Sequence, residues 1–166
     1  MNRRGFLGAM LTAPLVARAH PPAAAPGSLI DLIARRYRVV PEAVQTVVTL
    51  AVKYFPENPA LILAIVGVES SWRPWAVGAV GEVGLCQVRP GMHGASAAEL
   101  MLPDGNIATA AGVLRRCFAR AGGDPTRAVA RYNGAGPAAE RYAKKVLAEH
   151  RRITGRNAVA IFSMPT

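Results

Sequence analysis

Eight successive residues, Leu61 to Val68, are apolar or glycine, so they present hydrocarbon on every side of any regular element they form. The run ends abruptly at Glu69. Asn58-Pro59 precedes it, a capping side chain followed by a proline suited to the first helical position. A helix that is apolar all round is stable only when buried. Valine and isoleucine also suit a buried strand, and periodicity does not separate the two. The Asn-Pro start and the helical patterns on either side favour a helix. Other elements must then wrap around it, and a carboxylate must be accommodated where it ends.

The flanking patterns are helical. Ser28 can cap a helix to about Arg38, with Leu29, Ile30, Leu32 and Ile33 on its apolar side. Pro41 and Glu42 suit the first turn of a second helix, in which Val44, Val47, Val48 and Ala51 recur near a period of 3.6, and which ends around Tyr54 to Pro56. Between Arg73 and Gly94, Pro74, Gly78, Gly81, Gly84, Pro90, Gly91 and Gly94 break any long helix, leaving a loop or short β-ribbon. Helical pattern resumes at Asn106, with Ile107, Ala111, Leu114 and Phe118 on one face and Arg115, Arg116 and Arg120 off it, and Gly122-Gly123 ends it. Asp124-Pro125 starts a short helix to Tyr132-Asn133. Pro137 opens a last one to about Arg152, whose basic residues fit a solvated face, and residues 153–166 read as a loose tail. The expected fold class is all-α, mostly helical, with a small loop or β-ribbon region after the buried helix. The 166 residues suffice for one domain with a real core.

The first residues read as an address. Asn2-Arg3-Arg4-Gly5-Phe6-Leu7 is a twin-arginine pattern, an apolar run continues to Ala17, and Ala17-Arg18-Ala19 offers a small-x-small cleavage site. Residues 1–19 are therefore expected to be a signal peptide, with a twin-arginine route favoured over the general one. The apolar run is too short for a stable membrane anchor, and residues 20–27 read as a linker. Removing Arg3, Arg4 and Arg18 lowers the formal net charge from +10 to +7. A basic surface attracts polyanions. For an exported, periplasmic protein the expected partners are cell-wall carboxylates or anionic lipid headgroups, not nucleic acid. Cys86 and Cys117 allow one disulfide in an oxidising compartment, with two buried thiols as the equal alternative. His20, His93 and His150 have no metal-ligand spacing, and the glycine loop lacks the Gly-Lys-Ser/Thr of a phosphate loop, so neither a metal nor another cofactor is expected.

Glu69 is the candidate catalytic residue. Burial after an apolar run disfavours the charged form and raises the pKa above its usual ~4.3. A glutamic acid tuned towards ~6 gives up a proton near neutral pH, as the acid of lysozyme illustrates.

The surrounding residues carry a resemblance. Glu69-Ser70-Ser71-Trp72-Arg73-Pro74 is followed by Gly84-Leu85-Cys86-Gln87-Val88-Arg89-Pro90, then Asn106-Ile107, then Ala130-Arg131-Tyr132-Asn133. This order resembles the soluble-type (SLT) lytic transglycosylase domain, whose fold is lysozyme-like and close to goose lysozyme. The resemblance covers about residues 58–148, and each of its pieces is weak alone. It implies a catalytic domain over 58–152, preceded by an N-terminal helical segment over 28–57. It implies that Glu69 protonates the glycosidic oxygen between N-acetylmuramic acid and N-acetylglucosamine in peptidoglycan strands. As a carboxylate it would then take the proton of the sugar's C6 hydroxyl, closing a 1,6-anhydro ring. The substrate's acetamido group would replace the second carboxylate of ordinary glycosidases.

By the same resemblance Gly84 allows close packing beside the acid helix, and Gln87 bonds an acetamido or hydroxyl group. Tyr132 presents a hydroxyl near Glu69 or stacks on a sugar, Asn133 fixes the helix end behind it, and Tyr142 is a further site residue. The sequence also departs from the family. Gly78 stands where a serine commonly adds a hydroxyl to the site, Cys86 and Arg89 replace methionines, and Arg131 replaces an alanine. Arg89 could meet a muropeptide carboxylate. Glu82, in the glycine-rich loop, is either an extra acid facing the cleft or a solvated charge. The alternatives are a hydrolytic goose-type lysozyme and a wall-binding or assembly protein of weak turnover. Small domains of this kind, expected as monomers, often serve secretion or appendage complexes.

Overall fold

The apolar run forms a helix, and the rest of the chain packs around it. A computed structural model describes residues 28–157; the expected signal peptide, the linker and residues 158–166 lie outside the described residues. The central helix, third in chain order, spans Pro59–Glu69, and everything from Pro59 to Gly67 is buried. Asn58 caps it by accepting the Leu61 N–H at 3.3 Å, and His150 reaches the same Asn58 oxygen at 3.0 Å from the last helix. His150 is thus a half-buried partner of the cap.

Helices α1 (Leu29–Tyr37) and α2 (Pro41–Tyr54) precede this central helix, α3. Ser28 caps α1 through the Asp31 N–H, and Pro41 opens α2. Leu29, Ile33, Val44, Val47 and Ala51 enter the same core as Leu61 to Val66, so the segment before α3 completes that core. After a long loop come α4 (Ala97–Leu100), α5 (Pro103–Arg120), α6 (Pro125–Asn133) and α7 (Gly136–Asn157). α7 lies along α3, and α6 is wedged between α5 and α7.

Gly67 makes room for Tyr37 at the end of α1: a Cβ there would strike the Tyr37 hydroxyl, while Glu149 Cγ on α7 would lie at an ordinary contact distance of 3.6 Å. Glu149, 4% exposed, accepts bonds from Tyr37 Oη (2.8 Å), Arg36 (3.1 Å) and Arg152 (3.0 Å). Burial pushes its carboxyl upward, but Tyr37, Arg152 and Arg36 outweigh burial and hold it below the usual range. This buried acid ties α1 to α7, on a helix whose charges the sequence assigned to solvent.

Several boundaries differ from expectation. α4 was not foreseen, although Ser96 and Glu99 form a reciprocal capping box at its start. α5 begins at Pro103 rather than Asn106, again with proline in its first turn. α7 continues to Asn157 instead of stopping near Arg152, because Ile153 still packs into the core. The first residues of the expected tail are therefore helical. The region from Arg73 to Gly94 is a loop carrying two isolated antiparallel bridges, Val77 to Val83 and Val83 to Val88, with no longer strand among the described residues. The cysteines do not form the disulfide that was one expectation. Both are free and buried, Cys86 in the main core and Cys117 in a small cluster with Ala121 and Ala128.

Candidate active site

The chain leaves α3 through a forced turn. Ser71 and Trp72, neither a glycine, adopt φ of 52° and 65°. Left-handed conformations at such residues are held by their surroundings and cluster at functional sites. Here the Trp72 side chain is buried against Tyr37, ring centroids 6.0 Å apart, while the Ser70 hydroxyl donates to the Val66 carbonyl at 3.2 Å. The turn fixes where Glu69 ends up.

Glu69 lies in the floor of an open cleft of about 580 Å³. The Tyr142 hydroxyl donates to its Oε1 at 2.7 Å. Oε2 has no hydrogen-bond partner among the described residues. Burial raises its pKa, the Tyr142 bond draws it back, and the charge of Glu82 adds to the rise; the result is about 7. The group is therefore divided between acid and carboxylate at neutral pH.

The cleft has a loop wall, with Glu82, Gln87, Val88, Arg89 and His93, and a helix wall from α5 and α6, with Arg116, Cys117, Arg120, Arg131, Tyr132 and Asn133. Asn106, 1% exposed, holds the loop wall: its Oδ1 accepts the Cys86 N–H at 2.8 Å, and its Nδ2 donates to the Val83 and Leu100 carbonyls at 2.9 and 2.7 Å. Gly84, at φ 79°, fits directly over that amide; a Cβ would strike Asn106 Nδ2 and the Leu100 carbonyl. Its close contact is thus with α5 and the end of α4, not with the acid helix, and it is not among the residues lining the cleft.

Of the two tyrosines, it is the second that reaches the acid. Tyr132 does not turn its hydroxyl to Glu69 but donates it to the Cys86 carbonyl at 3.0 Å, while Tyr142 is the residue that reaches the acid. Their rings stack nearly parallel, 8° apart in plane and 6.5 Å between centroids, so Tyr132 backs Tyr142 from the helix wall. Gln87 lines the cleft, but its Nε2 donates inward to the Ala76 and Gly84 carbonyls at 3.1 and 2.9 Å. Only its Oε1 is left for other contacts. Asn133 is exposed on the cleft wall.

Gly78 takes on a specific meaning here. A Cβ at 78 would sit 2.5 Å from Glu82 Oε2 and 2.7 Å from Gln87 Oε1. The Glu82 carboxylate occupies the space that a side chain at 78 would need. It is held there by the Val80 N–H at 3.2 Å and more loosely by Arg89 at 3.5 Å. Glu82 is thus a cleft acid, and Arg89 is its partner. Sequence reasoning set Arg116 and Arg120 aside as charges off the apolar face; their spacing of one helical turn beside Cys117 was the signal that they share a surface.

A short apolar helix that ends in an acid at the floor of a cleft, within an all-α shell, is a lysozyme-like architecture. The transglycosylase SLT domain family matches residues 49–153, and the chain belongs to that family. The fold is similar to the crystal structure of the 70 kDa soluble lytic transglycosylase from Escherichia coli (TM-score 0.59, 22% identity, covering 76% of this chain and 26% of that one). It is also similar to an inactive mutant of the lytic transglycosylase Slt from Pseudomonas aeruginosa (TM-score 0.54, 20% identity, covering 81% and 24%). The chain thus spans about a quarter of the length of each of these proteins. No curated protein sequence matches it significantly.

Proposed function

We propose that this chain is a lytic transglycosylase that cleaves the bond between N-acetylmuramic acid and N-acetylglucosamine in peptidoglycan, with Glu69 as its single acid and base. The observation that carries this reading is the state of Glu69: a carboxyl with a pKa of about 7, one oxygen fixed by Tyr142 and the other open towards a cleft. Protonated Glu69 gives its proton to the glycosidic oxygen as that bond to C1 breaks, and the substrate's acetamido oxygen stabilises C1. The resulting carboxylate takes the proton of the C6 hydroxyl, whose oxygen bonds to C1. Glu69 is protonated again at the end, and no water is consumed. Tyr142 moderates the acid by stabilising its anion, so that the same group serves in both steps. The catalytic unit runs over about 58–152, and the protein acts in the cell envelope after export. Its small size suits local opening of the wall for a secretion or appendage complex.

One observation favours a hydrolytic, goose-lysozyme-like reading: Glu82 lines the same cleft, and a second carboxylate is what water activation requires. Mass spectrometry of digested sacculi distinguishes the two. Transglycosylase products are lighter than hydrolytic ones by one water per cut. Anhydro ends from the wild type and none from Glu69→Gln support the proposal. Hydrated ends, or an active Glu69→Gln variant, reject it.

A further inference from the structure

The helix wall of the cleft carries three arginines with no acidic partner among the described residues. Arg116 and Arg120 sit one turn apart on α5 and Arg131 lies near the end of α6; all are exposed, and all line the cleft. Elsewhere on the surface the arginines at 35, 36, 115, 127 and 152 pair with Asp31, Glu149, Glu57, Asp124 and Glu149 respectively, and those at 38, 73, 141 and 151 are, like the cleft three, without an ion pair among the described residues but are scattered rather than gathered on one wall. Among the described residues no ion pair involves Arg116, Arg120 or Arg131. The one polar contact of Arg116 is to a neutral acceptor, His93 Nδ1 on the loop wall at 3.2 Å.

The three charges converge. Each of them acts on the Cys117 thiol, pulling its pKa down against the burial that raises it. Helix dipoles favour a cation in a last turn, which accounts for Arg120 and Arg131 taken singly. It does not account for Arg116, nor for the sharing of one wall. Like charges one turn apart are mildly destabilising in a free helix. The arrangement becomes favourable when an anion lies among them, and a guanidinium is shaped to grip a carboxylate with two parallel bonds.

Resting on the proposed function, we propose that Arg116, Arg120 and Arg131 form a subsite for the carboxylates of the peptide stems that branch from the glycan. The N-acetylated sugars themselves carry no charge, and the lactyl acid of a substituted muramic residue is tied up as an amide. Anionic groups therefore enter the cleft on the peptide. The enzyme then binds glycan with free stem carboxylates more tightly than glycan whose stem carboxylates are neutralised.

The test uses Glu69→Gln protein, which binds without cutting, and co-sedimentation with cross-linked sacculi whose stem carboxylates are either free or converted to neutral amides with a carbodiimide and ammonia. Each exposed pair contributes about twofold, so sacculi with free carboxylates bind roughly tenfold tighter at low salt. The preference shrinks in high salt. The triple Arg→Gln variant brings the ratio close to one, and the triple Arg→Lys variant retains most of it. Thermal melts check that the variants are folded, and single Arg→Gln variants, each expected to lose about twofold, replace a triple variant that is not. Equal binding of the Glu69→Gln protein to both sacculi overturns the subsite, as does a ratio untouched in the folded arginine variants. So does a preference abolished by hydrofluoric acid, which strips phosphodiester-linked polymers, but not by amidation of the stem carboxylates. Product masses from the Glu69 enzyme report separately on the reaction, so hydrated ends would reject the lyase reading while leaving the binding ratio to judge the subsite.

Discussion

Replacing Glu69 by glutamine should make the protein more stable as it makes it inactive, by an amount that grows from about pH 4.5 and levels off above neutral pH. Below about pH 4.5 the carboxyl is protonated in both the folded and the unfolded chain. Between its unfolded value of 4.5 and its folded value of about 7, the unfolded chain releases the proton while the folded chain keeps it. Stability therefore falls as pH rises through that window, because the folded state binds more protons. Above it the folded chain carries a poorly solvated carboxylate. A rise of that size, at about 1.36 kcal/mol per pH unit, corresponds to about 3 kcal/mol. Glutamine has nearly the same shape and no charge to lose. Glu69→Gln should match the wild type to within about 1 kcal/mol at pH 4.5 and exceed it by about 2–3 kcal/mol at pH 8.5. In a chain of this size that is about 5–10 °C in Tm. Urea unfolding followed by circular dichroism at the two pH values measures the difference. A gap of the same size at both pH values, or a wild type more stable at pH 8.5, would refute the reasoning that burial dominates this acid.

Three further outcomes follow from the same geometry. Tyr142→Phe removes the bond that stabilises the Glu69 anion, so the alkaline limb of kcat/KM should move up by about one pH unit; an unmoved limb would mean that Tyr142 does not control the acid. Gly78→Ser should lower activity by displacing Glu82 and Gln87, and Glu82→Ala should relieve it, with a coupling of about 1 kcal/mol or more in a double-mutant cycle; additive effects would reject the shared space. Asn106→Ala should destabilise the fold by about 3 kcal/mol or more, because three buried backbone groups lose their partner, and a urea midpoint within error of the wild type would contradict that.

The features readable in the sequence were those written in local chemistry. Asn58-Pro59, Asp124-Pro125 and Ser28 start helices because their caps are short-range events. Glu69 stood out because eight apolar neighbours leave a carboxyl no cheap place to go. α4 escaped because four residues show no period, although its Ser-x-x-Glu box was visible. Which tyrosine would reach the acid was not legible: residues 132 and 142 lie on different helices, and the packing of α6 on α7 decides between them. The burial of Glu149 was hidden for a related reason. Its partners at 36 and 37 are more than a hundred residues away, and its neighbours on α7 are basic and solvated. Glu82 was seen as a candidate, but its fit over Gly78 depends on a loop conformation that composition does not specify.

The direction of α3 has a consequence of its own. Glu69 is the last residue of that helix, where unpaired carbonyls gather the negative end of its dipole, roughly half an electron charge. The same carboxyl at the opposite end would meet free N–H groups, which stabilise an anion. A buried helix run in reverse would therefore lower the pKa of its acid and leave less of it protonated at neutral pH. The helix acts on its terminal residue as an oriented field as well as a dry wall, and transplanting the acid onto another scaffold would need that polarity as much as the apolar surroundings.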